Sequence, residues 1–284
     1  MKAPKSIEPL IADGLVDEVI RPLMSGKEAA VYIVRRGDEV CCAKAYKTVQ
    51  QRGFRNNTQY MEGRKVRNSR KARAMEKGSR YGREEQESAW QNAEVDALFL
   101  LAAAGVRVPK PLNFIDGVLL MELVVDADGN PAPRLNDLVL PADLAREYHH
   151  FVIGQVVRML CAGLVHGDLS EFNVLVDGEG PVIIDLPQAV HAADSNNTFD
   201  LLERDIDNMA AYFGRFAPEL LTTRYAFEIW NLYEQGKLTP ESPLTGEFER
   251  DEKAANLGDI MREIDDARED ALRRKAYAEG LDED

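Results

Sequence analysis

The sequence predicts an α+β fold with two lobes, the first built on an antiparallel sheet and the second mainly helical. Short apolar and β-branched runs separated by turn residues occupy residues 16–46 and 108–121, which is the pattern of successive strands. Longer segments with apolar residues at helical spacing dominate from residue 141 onward. The chain has 284 residues, 45% of them hydrophobic, so it can bury a core in both lobes without a further independent domain.

The first lobe is expected at residues 16–122, after an N-terminal extension at residues 1–15 that contains a short helix at residues 7–14. Its predicted strands, bounded by turn residues such as Gly37 and Gly117, are residues 16–23, 31–34, 39–46, 108–114 and 118–121. A helix is predicted at residues 84–104, because its apolar residues form one stripe at helical spacing. The stripe consists of Trp90, Ala97, Leu98 and Leu101.

The second lobe is expected at residues 123–245, with a hairpin between its first and second helices. The helices are predicted at residues 141–164, 199–213 and 218–235, and the hairpin pairs residues 173–176 with residues 181–185. Residues 246–284 form a charged tail that is predicted to be helical. Its helical spacing is visible at Leu257, Ile260, Met261 and Ile264.

One loop of the second lobe carries the residues for a chemical reaction. It has the sequence His166-Gly167-Asp168-Leu169-Ser170-Glu171-Phe172-Asn173 and precedes the hairpin, which Asp185 ends. A kinase-like phosphoryl-transfer site needs this order: an acid that accepts the proton of the attacking hydroxyl, then an amide and a second acid that hold Mg²⁺ against nucleotide phosphates. Each residue alone fits a turn or a strand cap. The combination favours an enzyme that uses ATP and Mg²⁺ on a protein-kinase-like fold.

Such a site also needs a lysine that binds the phosphates and a carboxylate that holds the lysine. Lys44 interrupts the apolar strand at residues 39–46, and Glu94 lies on the apolar stripe of the following helix. A carboxylate that faces a core is costly unless it is paired, so Lys44 is its expected partner. A solvated lysine on an edge strand is the alternative for Lys44.

Several motifs resemble the RIO family of atypical serine/threonine protein kinases, and they are closest to its first subfamily. The resemblance extends from about Ser25 to about Phe213, and Ser-Glu-Phe-Asn after Asp168-Leu169 is its most specific part. The motifs are Ser25-Gly26-Lys27-Glu28-Ala29-Ala30-Val31-Tyr32, Ala43-Lys44-Ala45-Tyr46-Lys47-Thr48, Tyr60-Met61-Glu62-Gly63-Arg64, Pro131-Ala132-Pro133, residues 166–173 and Ile184-Asp185.

The resemblance implies a role for each matching residue. Asp168 is then the catalytic acid/base, Lys44 binds phosphates, Glu94 positions Lys44, and Asn173 and Asp185 bind metal. Some family members carry a phosphoryl group on the aspartate that corresponds to Asp185 and act as ATPase switches. The loop Ser25, Gly26, Lys27 and Glu28 is implied to contact the triphosphate, the backbone of Glu122 and Val124 to meet the adenine beside Met121, and Asp205 to brace the catalytic loop.

Two elements of ordinary protein kinases are missing from the sequence. No Gly-x-Gly-x-x-Gly precedes Lys44, and Gly26 is the one glycine of the corresponding loop. Asp185-Leu186-Pro187 stands in place of Asp-Phe-Gly, and no Ala-Pro-Glu follows it. An activation loop with a peptide-docking platform is therefore not expected.

Positive charge is concentrated in one segment, residues 51–83, which we call the basic arm. The arm contains 11 Lys or Arg residues and 2 acids, for a net charge of +9, whereas the whole chain has a net charge of −14. Three interpretations are open: a solvated flexible insertion, an arm that contacts RNA or a ribosomal particle, and a segment phosphorylated by the enzyme itself at Thr58 or Ser69. The resemblance implies a flexible loop that bears autophosphorylation sites.

Other features of the sequence indicate the surroundings of the protein. It has no apolar run long enough to span a membrane and no signal-peptide pattern, so a cytoplasmic location is expected. Cys41, Cys42 and Cys161 lie among apolar residues and are interpreted as small buried side chains in a reducing compartment.

The sequence thus predicts an ATP- and Mg²⁺-dependent serine/threonine protein kinase that acts on a protein substrate. Its own basic arm is one candidate substrate. Two alternatives remain. One is a nucleotide-switched assembly factor for RNA or ribosomes with little transferase activity. The other is a small-molecule phosphotransferase, against which Ser170-Glu171-Phe172 and the basic arm argue.

Overall fold

The structure, a computed structural model, describes residues 3–26, 28–47, 80–193 and 197–248, with the backbone alone for residues 80–91. An antiparallel sheet of five strands forms the first lobe, in the spatial order β1-β2-β3-β5-β4. The strands are β1 (Glu18–Ser25), β2 (Ala29–Arg36), β3 (Glu39–Tyr46), β4 (Pro111–Ile115) and β5 (Val118–Glu122). The short helix α1 (Glu8–Ala12) precedes the sheet, and the long helix α2 (Arg80–Ala103) connects β3 to β4.

Alternation along β3 divides its side chains between the two faces of the sheet. Cys41, Ala43 and Ala45 are buried in a small core with Ile7 and Leu10. Side chains of opposite parity, which include Lys44 and Tyr46, point to the other face, since successive side chains of a strand alternate. That face is covered by α2, whose Ala97, Leu98 and Leu101 are buried as the sequence predicts. The alternation of β3 therefore directs Lys44 toward helix α2.

Helices dominate the second lobe. They are α3 (Ala142–Cys161), α4 (Thr198–Phe213) and α5 (Tyr225–Glu234), with 3₁₀ turns at Leu135–Asp137 and Pro218–Thr222. Two strand pairs lie beside them: β6 (Leu164–Val165) with β9 (Val190–His191), and β7 (Val174–Asp177) with β8 (Gly180–Ile183). The larger hydrophobic core includes buried residues of both lobes, such as Leu101, Leu119, Ile153 and Phe213. Among the described residues, no helix has the length and apolar character needed to cross a membrane.

Three details of the sequence prediction are wrong. The strand predicted at residues 108–114 begins at Pro111, a first strand position that tolerates proline, because the N–H of Val108 is bonded to the carbonyl of Val106 and Pro109 has no N–H. The helix predicted at residues 218–235 is broken: the hydroxyls of Thr222 and Thr223 donate to the carbonyls of Glu219 and Leu220, which competes with helical bonding. Cys161 is exposed rather than buried, whereas Cys41 and Cys42 are buried as expected.

Candidate active site

The Lys44–Glu94 pair is present in the structure. The Lys44 ammonium donates a hydrogen bond of 2.5 Å to Oε1 of Glu94 on α2. Glu94 is 4% exposed, and it lies on the same helix face as the buried Leu98 and Leu101. Because an unpaired carboxylate at this position would carry a large desolvation cost, the contact fixes both the lysine and the helix.

Lys44 also reaches across to the second lobe. Its ammonium lies 3.3 Å from Oδ1 of Asp185, which follows β8 and has a side chain that is 48% exposed. Asp185 has a φ of +66°, a left-handed backbone conformation that aspartate tolerates better than most residues. The sheet, helix α2 and the end of the hairpin thus meet at one ammonium group.

Two opposing effects act on the ionisation of Lys44. Burial lowers the pKa of the ammonium. The charges of Glu94 and Asp185 and their hydrogen bonds raise the pKa by more than burial lowers it, so the net pKa is above the ordinary value. Lys44 is therefore positively charged throughout the physiological pH range and can offset the negative charge of a polyphosphate.

The loop that carries Asp168 is shaped by contacts with its neighbours. Asp168 is exposed, and its backbone N–H donates to Nδ1 of the buried His166 at 3.3 Å. Nε2 of His166 lies 3.2 Å from the carbonyl of Ile184 and donates to it, since Nδ1 is the acceptor. Gly167 has a φ of +78°, and a Cβ there would lie 2.7 Å from the carbonyl oxygen of Gln188. Only glycine fits this turn, and His166 ties the loop to the strand that precedes Asp185.

Asp205 braces the loop from behind, as the resemblance implies. It is 1% exposed, and its carboxylate accepts hydrogen bonds from the N–H groups of Gly167 at 2.7 Å and Leu169 at 2.8 Å. Burial raises the pKa of Asp205, while His166 and the two backbone donors oppose that rise. These bonds hold the backbone on both sides of Asp168.

Two further residues of α4 bind the same loop and were not singled out from the sequence. Arg204 donates to the carbonyl of Gly167, and Asn208 donates to the carbonyl of Leu169 at 3.0 Å. With Asp205 they lie on one face of the helix at positions i, i+1 and i+4. Helical spacing of polar residues next to Asp205 is the signal that indicates them.

The hairpin brings Asn173 and Asp185 to the same end of its two strands. Val174 pairs with Ile183, and the N–H of Ile184 donates to the carbonyl of Asn173 at 2.9 Å. The amide nitrogen of Asn173 donates to the carbonyl of Asp168 at 2.9 Å, which leaves its Oδ1 as an acceptor. One amide oxygen and one half-exposed carboxylate fit Mg²⁺, which takes few protein ligands and adds phosphate oxygens and water. The described residues contain no cluster of three or more His, Cys, Asp or Glu residues suited to a metal held by protein alone.

The loop between β1 and β2 is closed by Lys47. The Lys47 ammonium donates to the carbonyl of Gly26 at 2.5 Å and to the hydroxyl of Ser25 at 3.2 Å. Its backbone N–H donates to the carbonyl of Glu28 at 2.8 Å. Lys27, also predicted as part of this loop, lies outside the described residues. Lys47 directly follows β3, the strand of Lys44, so these bonds attach the β1–β2 loop to the end of that strand.

The predicted hinge follows β5. Met121 is opposite Cys42 of β3, and Val124 is buried. The side chain of Glu122 faces Lys110, whose N–H donates to its Oε2 at 3.0 Å. The carbonyl of Val124 accepts a hydrogen bond from Ala132, so the backbone N–H is the group that Val124 can offer to a base.

A cavity of about 400 Å³ lies beside the hinge but does not include Lys44, Asp168 or Asp185. Its lining contains Arg107 together with Glu122, Asp177 and Glu179. Arg107 is already paired with Asp177 and with Glu179, the latter at 2.6 Å. The surplus of carboxylates makes this cavity unsuitable for a triphosphate.

A sheet lobe that presents a paired lysine to a helical lobe, which presents a loop acid, an amide and a second acid, is the arrangement of the protein kinases. The fold is the bilobal α+β kinase fold. Within that class, the RIO domain family matches residues 30–226, more than half of the chain. The chain belongs to the RIO family.

Curated relatives agree with this assignment. The RIO-type serine/threonine-protein kinase Rio1 of Haloferax volcanii is 34% identical, over 74% of this chain and 68% of its own length. The human serine/threonine-protein kinase RIO1 is 32% identical, over 77% of this chain but 37% of its own length. Rio1 of Methanocaldococcus jannaschii is 32% identical, over 72% of this chain and 66% of its own length. The relatives' names support a serine/threonine-protein kinase, and the chain spans little more than a third of the human protein.

Proposed function

We propose that the protein is an ATP- and Mg²⁺-dependent protein kinase that transfers the γ-phosphate to serine or threonine. In this reaction Asp168 is the catalytic acid/base. The observation that carries this proposal is the meeting of Lys44, Glu94 and Asp185, which come from positions up to 141 residues apart in the chain. These contacts hold the Lys44 ammonium beside Asp185, the second acid of the proposed site. Such positioning and charge stabilisation is what phosphoryl transfer requires of a protein.

In the proposed reaction each residue has one task. Asp168 accepts the proton of the substrate hydroxyl, whose oxygen bonds to the γ-phosphorus while the bond to ADP breaks. Lys44, held by Glu94, neutralises phosphate charge as it moves to the leaving group. Asn173 and Asp185 would hold Mg²⁺, which supplies charge neutralisation for the phosphates. The backbone of Glu122 and Val124 beside Met121 would receive adenine, and the loop of Ser25, Gly26, Lys27 and Glu28 would cover the phosphates.

The substitution Asp168→Asn tests this role. We expect phosphate transfer to fall by roughly 10²–10⁴-fold with nucleotide affinity close to that of the wild type, because the carboxylate acts on the nucleophile. The measurement is incorporation of label from γ-labelled ATP, together with calorimetric binding of Mg²⁺-ATP. Asp38→Asn, in the exposed β2–β3 turn, is the matched control. Unchanged transfer by the Asp168 variant would remove Asp168 from the proposed role.

A second reaction at the same site is favoured by the exposure of Asp185. The Asp185 side chain is 48% exposed, so its carboxylate is accessible beside Lys44. In this reaction the carboxylate oxygen attacks the γ-phosphorus, ADP leaves, and water later hydrolyses the acyl phosphate. Label released from the protein by hydroxylamine would indicate this ATPase cycle, whereas hydroxylamine-stable label on serine or threonine would indicate the kinase reaction.

The partners proposed for the basic arm rest on charge. Residues 51–83 have a net charge of +9 in a chain whose net charge is −14. A segment of this kind attracts polyanions by releasing their counterions. We propose it as the site of self-phosphorylation and as a contact for RNA or a ribosomal particle, in keeping with a nucleotide-switched assembly factor.

A further inference from the structure

Tyr46 occupies a position next to the catalytic pair that its sequence position alone does not reveal. It is the last residue of β3 and lies on the same face of the strand as Lys44, two residues earlier. Its hydroxyl donates a hydrogen bond of 2.8 Å to Oε2 of Glu94. Lys44 takes the other oxygen, Oε1, at 2.5 Å. The Glu94 carboxylate is therefore held at both oxygens by residues of one strand.

The ring of Tyr46 is fixed by its surroundings. The residue is 8% exposed, and its ring packs edge-to-face on Phe114 of β4, with the ring centroids 6.2 Å apart. The Lys44 ammonium lies 5.5 Å from the ring centroid. Because a packed ring has few rotamers, this packing restricts the position of the Tyr46 hydroxyl.

The hydroxyl acts as a donor at every physiological pH. Burial raises the pKa of Tyr46, and the neighbouring charge of Glu94 raises it further. The phenol therefore keeps its proton, and the bond to Glu94 is a neutral donor on an ionised acceptor. Hydrogen bonds of this kind are stronger than those between neutral groups.

We propose that Tyr46 is a positioning residue for catalysis: its hydroxyl fixes the Glu94 carboxylate so that Lys44 is held at the phosphates. The proposal rests on the proposed function, because it assigns the phosphate-binding role to Lys44. Without the hydroxyl, Oε2 of Glu94 is left buried without this donor, and the carboxylate can rotate. Lys44, which lies 3.3 Å from Asp185, then has a competing acidic partner at the metal site.

The test compares Tyr46→Phe with Tyr32→Phe, a matched loss of one hydroxyl on the neighbouring strand β2. We expect Tyr46→Phe to lower kcat/KM for ATP roughly tenfold, the size expected for one hydrogen bond to a charged group. Tyr32→Phe should leave it unchanged. Thermal denaturation of each variant is recorded, and kinetics are compared at a temperature where all are folded.

A double-mutant cycle separates positioning from a general loss of stability. In a Glu94→Ala background, Tyr46→Phe should change kcat/KM for ATP by less than about twofold, because the group through which it acts is gone. Equal losses in both backgrounds would show that Tyr46 acts without Glu94 and would overturn the proposal.

A readout without nucleotide keeps this test independent of the proposed function. Acylation of Lys44 by N-acetoxysuccinimide, followed by mass spectrometry, reports how firmly the amine is paired. We expect faster acylation in Tyr46→Phe than in the wild type, because the amine is held less firmly when the Glu94 carboxylate can rotate away from it. An unchanged acylation rate together with unchanged kcat/KM would refute the role of Tyr46. Failure of the wild type to bind Mg²⁺-ATP would instead count against the proposed function alone.

Discussion

At the scale of single residues, the carboxylate of Asp185 has one observed partner and one proposed partner. Its Oδ1 contacts the Lys44 ammonium at 3.3 Å, and the same carboxylate is the proposed ligand of Mg²⁺. Asn173 differs, because its amide nitrogen is already bonded to the carbonyl of Asp168. In the proposed metal site, Asp185 would contribute a negative charge, whereas Asn173 would contribute only a dipole.

This difference predicts unequal effects for two alanine variants. Asp185→Ala should abolish both transfer and ATP hydrolysis and raise the Mg²⁺ concentration needed for nucleotide binding. Asn173→Ala should raise that concentration less, because water can replace a neutral ligand. Titration of Mg²⁺ at fixed ATP measures both effects.

Asp38→Ala, which removes an exposed carboxylate far along the sheet lobe, is the control for the loss of negative charge. Wild-type dependence on Mg²⁺ in the Asp185 variant would show that the metal is held elsewhere.

At the scale of elements, helix α3 carries a histidine into the helical core. His149 is 1% exposed, and its ring packs on Phe213 of α4 and Tyr225 of α5, at centroid distances of 5.7 and 5.6 Å. Its Nε2 has no hydrogen-bond partner within the described residues. Burial, and to a lesser degree His150, lowers the pKa of His149 to about 4.

The lowered pKa predicts a loss of stability in mild acid. The unfolded chain takes up a proton on this histidine near pH 6.5, but the folded protein does so only near pH 4. The unfolded state therefore binds more protons between these values, so the contribution is complete above pH 6.5 and falls as the pH drops toward 4. Its full size is about 3 kcal/mol, at about 1.4 kcal/mol per pKa unit.

Replacement of His149 by Phe should remove this part of the pH dependence, because phenylalanine fills the aromatic site without a titratable group. Denaturant unfolding between pH 4 and pH 7 measures it, with His150→Gln as the control. If the Phe variant keeps the acid sensitivity of the wild type, the cause lies in other groups.

The sequence predicts the elements and the site unequally well, for physical reasons. Lys44 and Glu94 can be paired from sequence because each is a charge in an apolar pattern, and Asn173 and Asp185 because they end the two strands of one hairpin. The Tyr46–Glu94 bond cannot be predicted, since tyrosine fits an apolar strand with or without a partner. Sequence reasoning places Cys161 inside wrongly, because it is the last residue of α3, where apolar neighbours in sequence do not share its face.

The contacts of Arg107, which link parts of the fold that are distant in sequence, also cannot be predicted from the sequence. Its backbone N–H donates to Gln155 of α3, its carbonyl accepts from Ile183 of β8, and its guanidinium pairs with the β7–β8 hairpin. An arginine in a loop gives no periodic signal, so only the tertiary structure shows that it connects the two lobes.

At the scale of the whole molecule, charge is divided between an acidic chain and the basic arm. In sequence, the arm lies between the strand of Lys44 and the helix of Glu94, so a change in its charge occurs between the two elements that hold the Lys44–Glu94 pair. Its residues 51–79 lie outside the described residues, and its role remains a proposal from sequence.

The charge of the arm predicts that RNA binding and self-phosphorylation oppose each other. RNA affinity should fall steeply with salt, and phosphate on Thr58 or Ser69 should weaken it, since each adds about −1.5 to −2 charges. Mass spectrometry after incubation with Mg²⁺-ATP, paired with RNA titrations on the same sample, measures both. Phosphates confined to residues 246–284, with RNA binding absent or insensitive to salt, would contradict the proposal.

The central claim is that Lys44, Glu94, Asp168, Asn173 and Asp185 form one nucleotide site. A crystal structure with Mg²⁺ and a non-hydrolysable ATP analogue tests it most directly. We expect the phosphates against Lys44, the metal on Asn173 and Asp185, and the adenine beside Glu122 and Val124. An analogue bound in the cavity at Arg107, or no bound nucleotide at a saturating concentration, would contradict the claim.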